Sequence, residues 1–424
     1  MANRRWALIA GLWVLFACTA VAQPVILEFA YPVGVAGPLA SVIDNLCREF
    51  NKQHPDIQVI PVFAGGYADV MSRVKLGIAA GQPPDIFIST TPTTLELIEL
   101  GAIIPLDEYI AAEGGEAWLR DFVPAFLENA RVEGHIWYIP WQHSTLIFYW
   151  NKDAFREAGL DPERPPQTWD EVIEYAQKLT IRRPDGTVER WGIEIPVEGW
   201  PFDALCAQAG QRYIGKPYEV FLNTEAAIDA LTFLNDLVNK YKVMPSYRLY
   251  GDSANDFVAG KAAMMYNSTG SLAFVRDNAK FAWGTAFLPA RKVRGAPTGG
   301  GGFYISANIS KAKQDAAWKF ITWMVEPERT AFWSRQSGYL PVRFSAYNLP
   351  EMQEYYAKYP QALTAFKQLE VAFAEAMWYQ RFQIFDIINN ALEQCLAYNL
   401  DPAKVLAEAQ QKAEAVLAPY KPGK

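Results

Sequence analysis

The chain has 424 residues, of which 51% are hydrophobic and 20% are charged, and its formal net charge is −7. This composition excludes a disordered tail, a coiled coil and a disulfide-stapled miniprotein, and the length suffices for two domains that each bury a core. The acidic balance disfavours a nucleic-acid partner, which would need clustered lysine and arginine.

The segment 1–22 has the pattern of a secretory signal peptide. Two arginines open it, an apolar run over residues 6–17 is short for a membrane span, and Ala20 and Ala22 supply the small residues of a cleavage site. Cys18 belongs to a loose lipobox pattern, so lipid anchoring is the minor alternative to free release. We therefore expect a periplasmic or extracellular protein.

Strand-like and helix-like segments alternate after the signal. The pattern predicts strands over residues 25–30, 57–63 and 85–89 and helices over 38–54 and 67–80. This alternation is typical of βαβ units with a mainly parallel sheet. Ligands of such sheets bind beyond the carboxyl ends of the strands, which nominates the loops that follow these three strands.

A second alternating set follows an aromatic, strand-like stretch over residues 139–151. The pattern there predicts helices over residues 168–179, 224–241, 253–259 and 270–278. A glycine-rich loop over residues 298–302 then precedes a short strand, and the rest of the chain is mostly helical. Glycines before a buried strand have one of two roles: they let a ligand approach the backbone closely, or they let the chain bend as a hinge.

Motifs for catalysis, metal binding or cofactor binding are weak in this sequence. The histidines are too far apart in sequence for zinc spacing, and the glycine run matches neither a dinucleotide-binding fingerprint nor a nucleophile elbow. The three later cysteines lack CxxC spacing, which favours buried free thiols. We expect no enzyme activity, no metal and no cofactor. A secreted glycosidase with paired carboxylates and a surface adhesin are the remote alternatives.

Several motifs, in consistent order over almost the whole chain after the signal, resemble one family. They are Gln-Pro-Pro-Asp-Ile at 82–86, Trp-Asn-Lys-Asp-Ala-Phe at 150–155, Pro-Gln-Thr-Trp-Asp-Glu at 166–171, Phe-Val-Ala-Gly-Lys-Ala-Ala-Met at 257–264 and Gly-Tyr-Leu-Pro-Val at 338–342. On these motifs the chain resembles the extracellular solute-binding proteins of family 1 that serve ABC importers. Within that family it is similar to the members that bind sn-glycerol 3-phosphate.

The resemblance implies an α/β fold with two lobes of the periplasmic-binding-protein type, each a mainly parallel sheet flanked by helices, joined by a hinge of several crossovers. We expect crossovers near residues 140–145, 298–303 and 334–342. The corresponding division is a signal peptide over 1–22, a first lobe over 23–142 plus 300–338, and a second lobe over 143–299 plus 339–424.

The resemblance also implies a small-molecule carbohydrate or polyol phosphate in the cleft between the lobes, delivered to the transmembrane subunits of an ABC permease. No nucleic acid is expected as a partner, and the chain is expected to be a monomer. A neutral mono- or oligosaccharide, or a glycerophosphodiester, remains an alternative to glycerol 3-phosphate.

Candidate ligand contacts follow from the resemblance one position at a time. They are Tyr67, Thr91, Ser144, Trp200, Ser271, Gly300, Gly301, Tyr339 and Lys367, and His143 is added because it lies at a suspected crossover. Thr91 stands where the resembling proteins have a glutamate, and Lys367 where they have a phosphate-binding arginine. A lysine supplies charge without the planar fork of an arginine, so a neutral ligand stays open. Trp200 offers a flat face for stacking on a sugar.

Overall fold

The structure is a computed structural model that describes residues 23–35, 37–375 and 377–422. The predicted signal peptide and Cys18 lie outside these described residues. The strands of the described chain are β1 (Val25–Pro32), β2 (Ile57–Gly65), β3 (Ile86–Thr90), β4 (Arg131–Val132), β5 (His135–Ile136), β6 (Ile139–Asn151), β7 (Ile181–Arg182), β8 (Val188–Arg190), β9 (Met264–Ser268), β10 (Trp283–Ala286), β11 (Ala296–Ile305) and β12 (Ala372–Phe373).

The helices surround these strands. They are α1 (Leu39–Gln53), α2 (Tyr67–Ala80), α3 (Thr94–Glu99), α4 (Asp107–Ala112), α5 (Glu116–Leu119), α6 (Pro124–Leu127), α7 (Lys152–Glu157), α8 (Trp169–Leu179), α9 (Gly199–Gln208), α10 (Glu225–Asn235), α11 (Tyr250–Val258), α12 (Leu272–Asn278), α13 (Lys311–Met324), α14 (Pro327–Ser337), α15 (Phe344–Tyr347), α16 (Pro350–Lys358), α17 (Leu363–Gln368), α18 (Arg381–Tyr398) and α19 (Pro402–Leu417). A π-helical turn (Asp236–Lys240) extends α10, and 3-10 turns include Thr91–Thr93, Thr269–Ser271 and Ala418–Tyr420.

Polar side chains cap the starts of three helices, α8, α10 and α13. Thr168 and Thr224 accept backbone N–H groups at the starts of α8 and α10, and Ser310 does the same for α13. Helix α1 ends within a residue of the predicted boundary. Its buried side recurs at helical spacing through Ile43, Leu46 and Phe50, which is the pattern that predicted it.

One sheet runs through both lobes in the strand order β10-β6-β11-β3-β1-β2, with β9 also paired to β6 and β12 to β11. Strand β1 is parallel to β2 and β3, as the βαβ pattern predicted. Strand β6 is antiparallel to β9, β10 and β11, and β11 is antiparallel to β3. The sheet is therefore mixed, with both parallel and antiparallel pairs. Its two long strands, β6 and β11, cross between the lobes.

Two hydrophobic cores define the lobes. The first core takes its buried side chains from residues 27–141 and 303–365, and the second from residues 146–296 and 378–417. Strands β6 and β11 each contribute side chains to both cores, so they run from one core to the other.

The third crossover differs from the predicted one. The resemblance predicts residues 339–424 in the second lobe, whereas the buried side chains from Tyr339 to Ala365 that belong to the first core place this stretch on the first lobe. The ring of Tyr339 stacks on Trp333 at 5.8 Å, which keeps the chain on the first lobe after α14. The chain crosses later, through β12, which pairs with the start of β11.

Three cysteines, Cys47, Cys206 and Cys395, are buried and form no disulfide with one another. Across residues 23–35, 37–375 and 377–422, no group of three or more His, Cys, Asp or Glu side chains is placed to hold a metal ion. No helix in that part of the chain combines the length and apolar character that a membrane span needs.

Candidate functional site

A cavity of about 350 Å³ lies between the two lobes. Its wall contains residues from both lobes and from the strands that join them: Gly34, Val35, Gly66, Tyr67, Ala68, Thr90, Ser144, Glu198, Trp200, Tyr250, Ser268, Gly299, Gly300, Tyr339, Glu375, Arg381, Phe382 and Phe385. Most of the first-lobe residues lie at or just after the carboxyl ends of β1, β2 and β3, where a parallel sheet is expected to bind a ligand, and Tyr339 follows α14.

Two tyrosines form the polar part of the wall near the hinge. Gln142 donates a hydrogen bond from Nε2 to the Tyr67 hydroxyl at 2.6 Å. Burial raises the pKa of Tyr67, and burial likewise raises the pKa of Tyr339, which lies beside it. Both phenols are therefore neutral at physiological pH and can donate or accept hydrogen bonds from a ligand.

Glycines let side chains reach the backbone of β11. A Cβ at Gly299 would be 2.5 Å from Cζ2 of Trp200, so the indole lies directly on the strand. Trp200 also donates from Nε1 to the carbonyl oxygen of Thr298 at 3.1 Å. Gly300 has φ +110°, and a Cβ there would be 1.8 Å from the carbonyl oxygen of Gln142. The backbone of β11 is thus exposed to the cavity because it has no side chains there.

Three charged side chains lie in the described wall: Arg381, Glu375 and Glu198. Arg381 is only 5% exposed, donates from Nη2 to Glu375, and lies with its guanidinium carbon 3.7 Å from the ring centre of Phe385. Within the described residues no hydrogen bond occupies its Nη1. Burial raises the pKa of Glu375, and the neighbouring Arg381 opposes that effect.

Glu198 precedes helix α9 and contacts the same cavity. Burial raises its pKa to about 7, although Arg381 acts in the opposite direction. Its carboxyl group therefore titrates near physiological pH. Trp200 and Tyr250 line the same cavity, and their ring centres are 5.8 Å apart.

A second buried ion pair supports the charged wall from behind. Arg212 binds both carboxylate oxygens of Asp203, at 3.2 Å through Nε and at 2.6 Å through Nη2. Its guanidinium carbon is 4.1 Å from the ring centre of Phe373, in β12. The pair thus stabilises the crossover segment that carries Glu375 into the cavity wall.

Of the ten predicted contacts, the described wall contains Tyr67, Ser144, Trp200, Gly300 and Tyr339. The cavity brings these five together from five separate elements or loops. The other five, Thr91, His143, Ser271, Gly301 and Lys367, do not line it.

For two of these five, a residue one to three positions earlier in the chain lines the cavity instead. Thr91 is buried at the start of a 3-10 turn, where its hydroxyl oxygen accepts a hydrogen bond from Asn129 at 3.4 Å, and the preceding Thr90 lines the cavity. Ser271 is buried and donates to Oδ1 of Asn267 at 3.0 Å, whereas Ser268 lines the cavity.

The remaining three predicted contacts are also absent from the cavity wall. His143 is buried with its ring stacked on Phe126 at 4.2 Å, and burial lowers its pKa to about 3, so the imidazole is neutral. Gly301 lies behind Tyr67, where a Cβ would be 3.0 Å from Cε1 of that ring. Lys367 is exposed on helix α17, and the positive charge of the wall belongs to Arg381.

Sequence reasoning missed the following wall residues: Glu198, Tyr250, Glu375, Arg381, Phe382 and Phe385. Glu375 had a usable signal, because it is the one charged residue in the otherwise apolar stretch 371–378. Arg381 had none, because an arginine at the start of a helix is usually solvated and its sequence context does not reveal burial.

The family model for bacterial extracellular solute-binding proteins matches residues 36–331. The sn-glycerol-3-phosphate-binding periplasmic protein UgpB of Pectobacterium atrosepticum is 28% identical over 96% of this chain and 95% of its own length. UgpB of Salmonella typhimurium is 31% identical over 78% of each chain.

Solved structures share the fold over most of the chain. UgpB from Mycobacterium tuberculosis in complex with glycerophosphocholine has a TM-score of 0.82 and 27% identity, covering 92% of this chain and 98% of that one. The maltose/maltodextrin-binding domain MalE from Bdellovibrio bacteriovorus, bound to maltotriose, has a TM-score of 0.81 and 22% identity, covering 93% and 100%. The second similarity supports the two-lobe fold alone.

Proposed function

The chain belongs to the family of bacterial extracellular solute-binding proteins, and from this premise we propose that its ligand is a glycerophosphodiester with a cationic head group. The protein is the solute-binding component of an ABC importer, it is periplasmic or secreted, and it binds a carbohydrate or a glycerol-phosphate-type ligand. The family captures solutes for membrane permease subunits and is not an enzyme family.

Arg381 is the observation that carries the proposal. It is the one positively charged side chain in the described wall, and its Nη1 makes no hydrogen bond among the described residues. A buried guanidinium in a cavity wall favours an anionic group, because hydrogen bonds between charged partners are short and strong. A phosphate oxygen is such a partner, which supports a glycerol-phosphate-type ligand over a neutral sugar.

The two carboxylates refine the choice of phosphate. Glu375 already binds Arg381, and Glu198 adds a second acid to the same wall. A phosphate monoester carries a charge of about −1.5 to −2 at pH 7 and would be repelled by both acids. A phosphodiester carries a single negative charge, and a cationic head group on the same ligand would be attracted by Glu198.

Aromatic residues in the same wall as Glu198 support the same reading. Trp200 and Tyr250 line the same cavity as this carboxyl group, and an aromatic face attracts a cation within about 6 Å. Tyr67, Ser144 and the backbone of β11 remain for the glycerol hydroxyl groups. Such a set of polar groups around a mostly apolar pocket is typical of small-molecule sites.

Binding would close the cleft and leave the ligand chemically unchanged. Strands β6 and β11 link the lobes, and closure around a ligand is the usual motion of periplasmic binding proteins. In the proposed role the two cleft carboxylates serve binding. Glu375 orients Arg381 towards the ligand phosphate, and Glu198 binds the cationic head group. The closed form is then delivered to the permease.

A neutral sugar is the second candidate because of the aromatic lining. Trp200, Tyr250, Phe382 and Phe385 all line the cavity, and aromatic rings stack on the C–H faces of sugars. This ligand would leave the free donor of Arg381 to water or to a sugar hydroxyl.

The test is isothermal titration calorimetry of the purified chain without its signal peptide. Glycerophosphocholine, glycerophosphoethanolamine, glycerol 3-phosphate, maltose and trehalose are the ligands, and Arg381→Lys, Arg381→Ala and Lys367→Ala are the variants. We expect glycerophosphocholine to bind most tightly and Arg381→Ala to weaken it at least tenfold, the loss expected for a hydrogen bond to a charged group. Lys367→Ala is the matched control, because it removes a positive charge that does not line the cavity. Tight binding of maltose alone, unaffected by Arg381→Ala, would overturn the proposal.

A further inference from the structure

We infer that Tyr420, close to the carboxyl end of the described chain, is a positioning residue for Arg381. The inference rests on the proposed function, because it concerns the side chain that is proposed to bind the ligand phosphate. Tyr420 does not line the cavity. It contacts the two residues that immediately precede Arg381 and thereby fixes where helix α18 begins.

The first contact is a stack of two tyrosine rings. The rings of Tyr379 and Tyr420 are 4.4 Å apart between centres, with an angle of 5° between their planes. Tyr420 belongs to the 3-10 turn (Ala418–Tyr420) that follows helix α19. The 3-10 turn after α19 is thus in contact with the segment that enters the cavity wall.

The second contact holds a residue with an unusual backbone. Gln380 is the residue before helix α18 and has φ 53° and ψ 41°, in the left-handed region that non-glycine residues rarely occupy. Its side chain makes no capping hydrogen bond to α18 and instead donates from Nε2 to the Tyr420 hydroxyl at 3.0 Å. Such a conformation persists only where surrounding contacts enforce it. Tyr420 supplies one of these contacts.

The same segment is anchored on its other side by the second lobe. Trp378 donates from Nε1 to the carbonyl oxygen of Glu219 at 3.0 Å, and the backbone N–H of Tyr379 donates to the carbonyl oxygen of Pro217 at 3.2 Å. The backbone just before Arg381 therefore lies between the loop at residues 217–219 and Tyr420. Removing the Tyr420 side chain would remove the ring contact with Tyr379 and the hydrogen bond from Gln380, and would leave this backbone held by the loop at residues 217–219.

Helix α19 fixes Tyr420 in turn. The Gln410 side chain donates from Nε2 to the carbonyl oxygen of Val220 at 2.8 Å and accepts from the backbone N–H of Leu222 at 2.6 Å. Buried residues of α18 and α19 share the second core. The C-terminal helix is thus a rigid support, and the direction in which Arg381 enters the cavity depends on it through one stacked ring and one hydrogen bond.

The test measures glycerophosphocholine affinity by calorimetry for Tyr420→Phe and Tyr420→Ala, each also combined with Arg381→Ala. The control is Tyr398→Ala. Tyr398 is 74% exposed and lies at the carboxyl end of α18, the helix that begins with Arg381. We expect Tyr420→Ala to raise Kd about tenfold, Tyr420→Phe to raise it about threefold, and Tyr398→Ala to leave it unchanged. In the Arg381→Ala background, Tyr420→Ala should have no further effect, since residues that act through one another are not additive.

The outcomes separate this inference from the proposed function. If Arg381→Ala leaves glycerophosphocholine affinity unchanged, the proposed function fails. If Arg381→Ala weakens binding but Tyr420→Ala does not, or weakens it equally with and without Arg381, Tyr420 is not a positioning residue. A general loss of stability would lower the melting temperature without this dependence on Arg381. Tyr420→Phe keeps the ring stack, so it provides a folded variant if the alanine variant is unstable.

Discussion

The indole ring of Trp200 lies on the backbone of Gly299, at a position where a Cβ on the glycine would come within 2.5 Å of the ring. Trp200 belongs to the second lobe, and Gly299 lies in the strand that joins the lobes. The contact therefore places an aromatic face in the cleft and ties it to the hinge. Any side chain at residue 299 would have to move the indole.

Gly299→Ala is expected to weaken ligand binding about tenfold, which corresponds to about 1.4 kcal/mol. The added methyl group would displace Trp200 and break its hydrogen bond to the carbonyl oxygen of Thr298. Calorimetric titration with glycerophosphocholine measures the effect. Gly251→Ala is the control, because a Cβ at residue 251 meets no atom within 4 Å. Equal affinities for the two variants would contradict the assigned role of the Trp200 contact.

Glu375→Gln is expected to lower stability and to raise affinity for a phosphate-bearing ligand. The substitution leaves the buried Arg381 without its counterion, a change that costs about 3 kcal/mol in comparable buried pairs. A ligand phosphate would replace the lost charge, so the stabilisation by ligand should exceed that of the parent chain. Differential scanning calorimetry with and without glycerophosphocholine measures both effects.

The control for this variant is Asp203→Asn, which disrupts the buried ion pair with Arg212 behind the wall. It should destabilise the protein in the same way without any gain in affinity, because Asp203 does not line the cavity. A gain in affinity for both variants would mean that general loosening, rather than the charge of Arg381, controls binding.

His143→Phe is expected to leave ligand affinity unchanged and to protect the fold in acid. Neither ring nitrogen of His143 has a hydrogen-bond partner among the described residues, and burial lowers the pKa of the ring to about 3. The unfolded chain binds a proton at this histidine below about pH 6.5, whereas the folded chain does not. Stability is therefore lost as the pH falls from 6.5 towards 3, and the variant should lose less. Urea unfolding at pH 7 and pH 4.5 measures the difference.

Much of the fold was predictable because its signals are local. The βαβ start of the chain, the capped helices α8 and α10, and the crossing strand β6 all follow from periodicity and from polar residues at helix starts. The mixed character of the sheet was harder to predict from the sequence, because the direction of β11 depends on partner strands that are distant in sequence. The late third crossover was missed for the same reason, since packing of Tyr339 on Trp333 is a tertiary contact.

The site was predictable only where a residue follows a strand or interrupts a pattern. Tyr67 starts the helix after β2, and Gly300 belongs to a visible glycine run. Arg381 was not predictable, because the partners that surround its guanidinium, Glu375 and Phe385, are brought to it only by the folded structure. The resemblance predicts Lys367 as the positive charge of the site, and the fold leaves that side chain exposed on α17.

Binding of glycerophosphocholine is expected to strengthen as the pH rises from 6 to 8. Burial raises the pKa of Glu198 to about 7, so the carboxyl group is mostly protonated at pH 6 and mostly ionised at pH 8. The ionised form attracts the proposed cationic head group, and the bound cation should in turn lower this pKa. Affinity should therefore follow the ionisation of one carboxyl group. Calorimetry at pH 6, 7 and 8 in buffers of matched ionic strength measures it.

Glu198→Gln separates this carboxyl group from others that titrate nearby. Burial also raises the pKa of Glu194 to about 8, but Glu194 does not line the cavity, so Glu194→Gln should keep the pH dependence of binding. Glu198→Gln should abolish it and bind at pH 8 as weakly as the parent chain does at pH 6. Glycerol 3-phosphate has no cationic group, so its binding should weaken as Glu198 ionises. A parallel pH profile for both ligands would mean that Glu198 does not contact the head group.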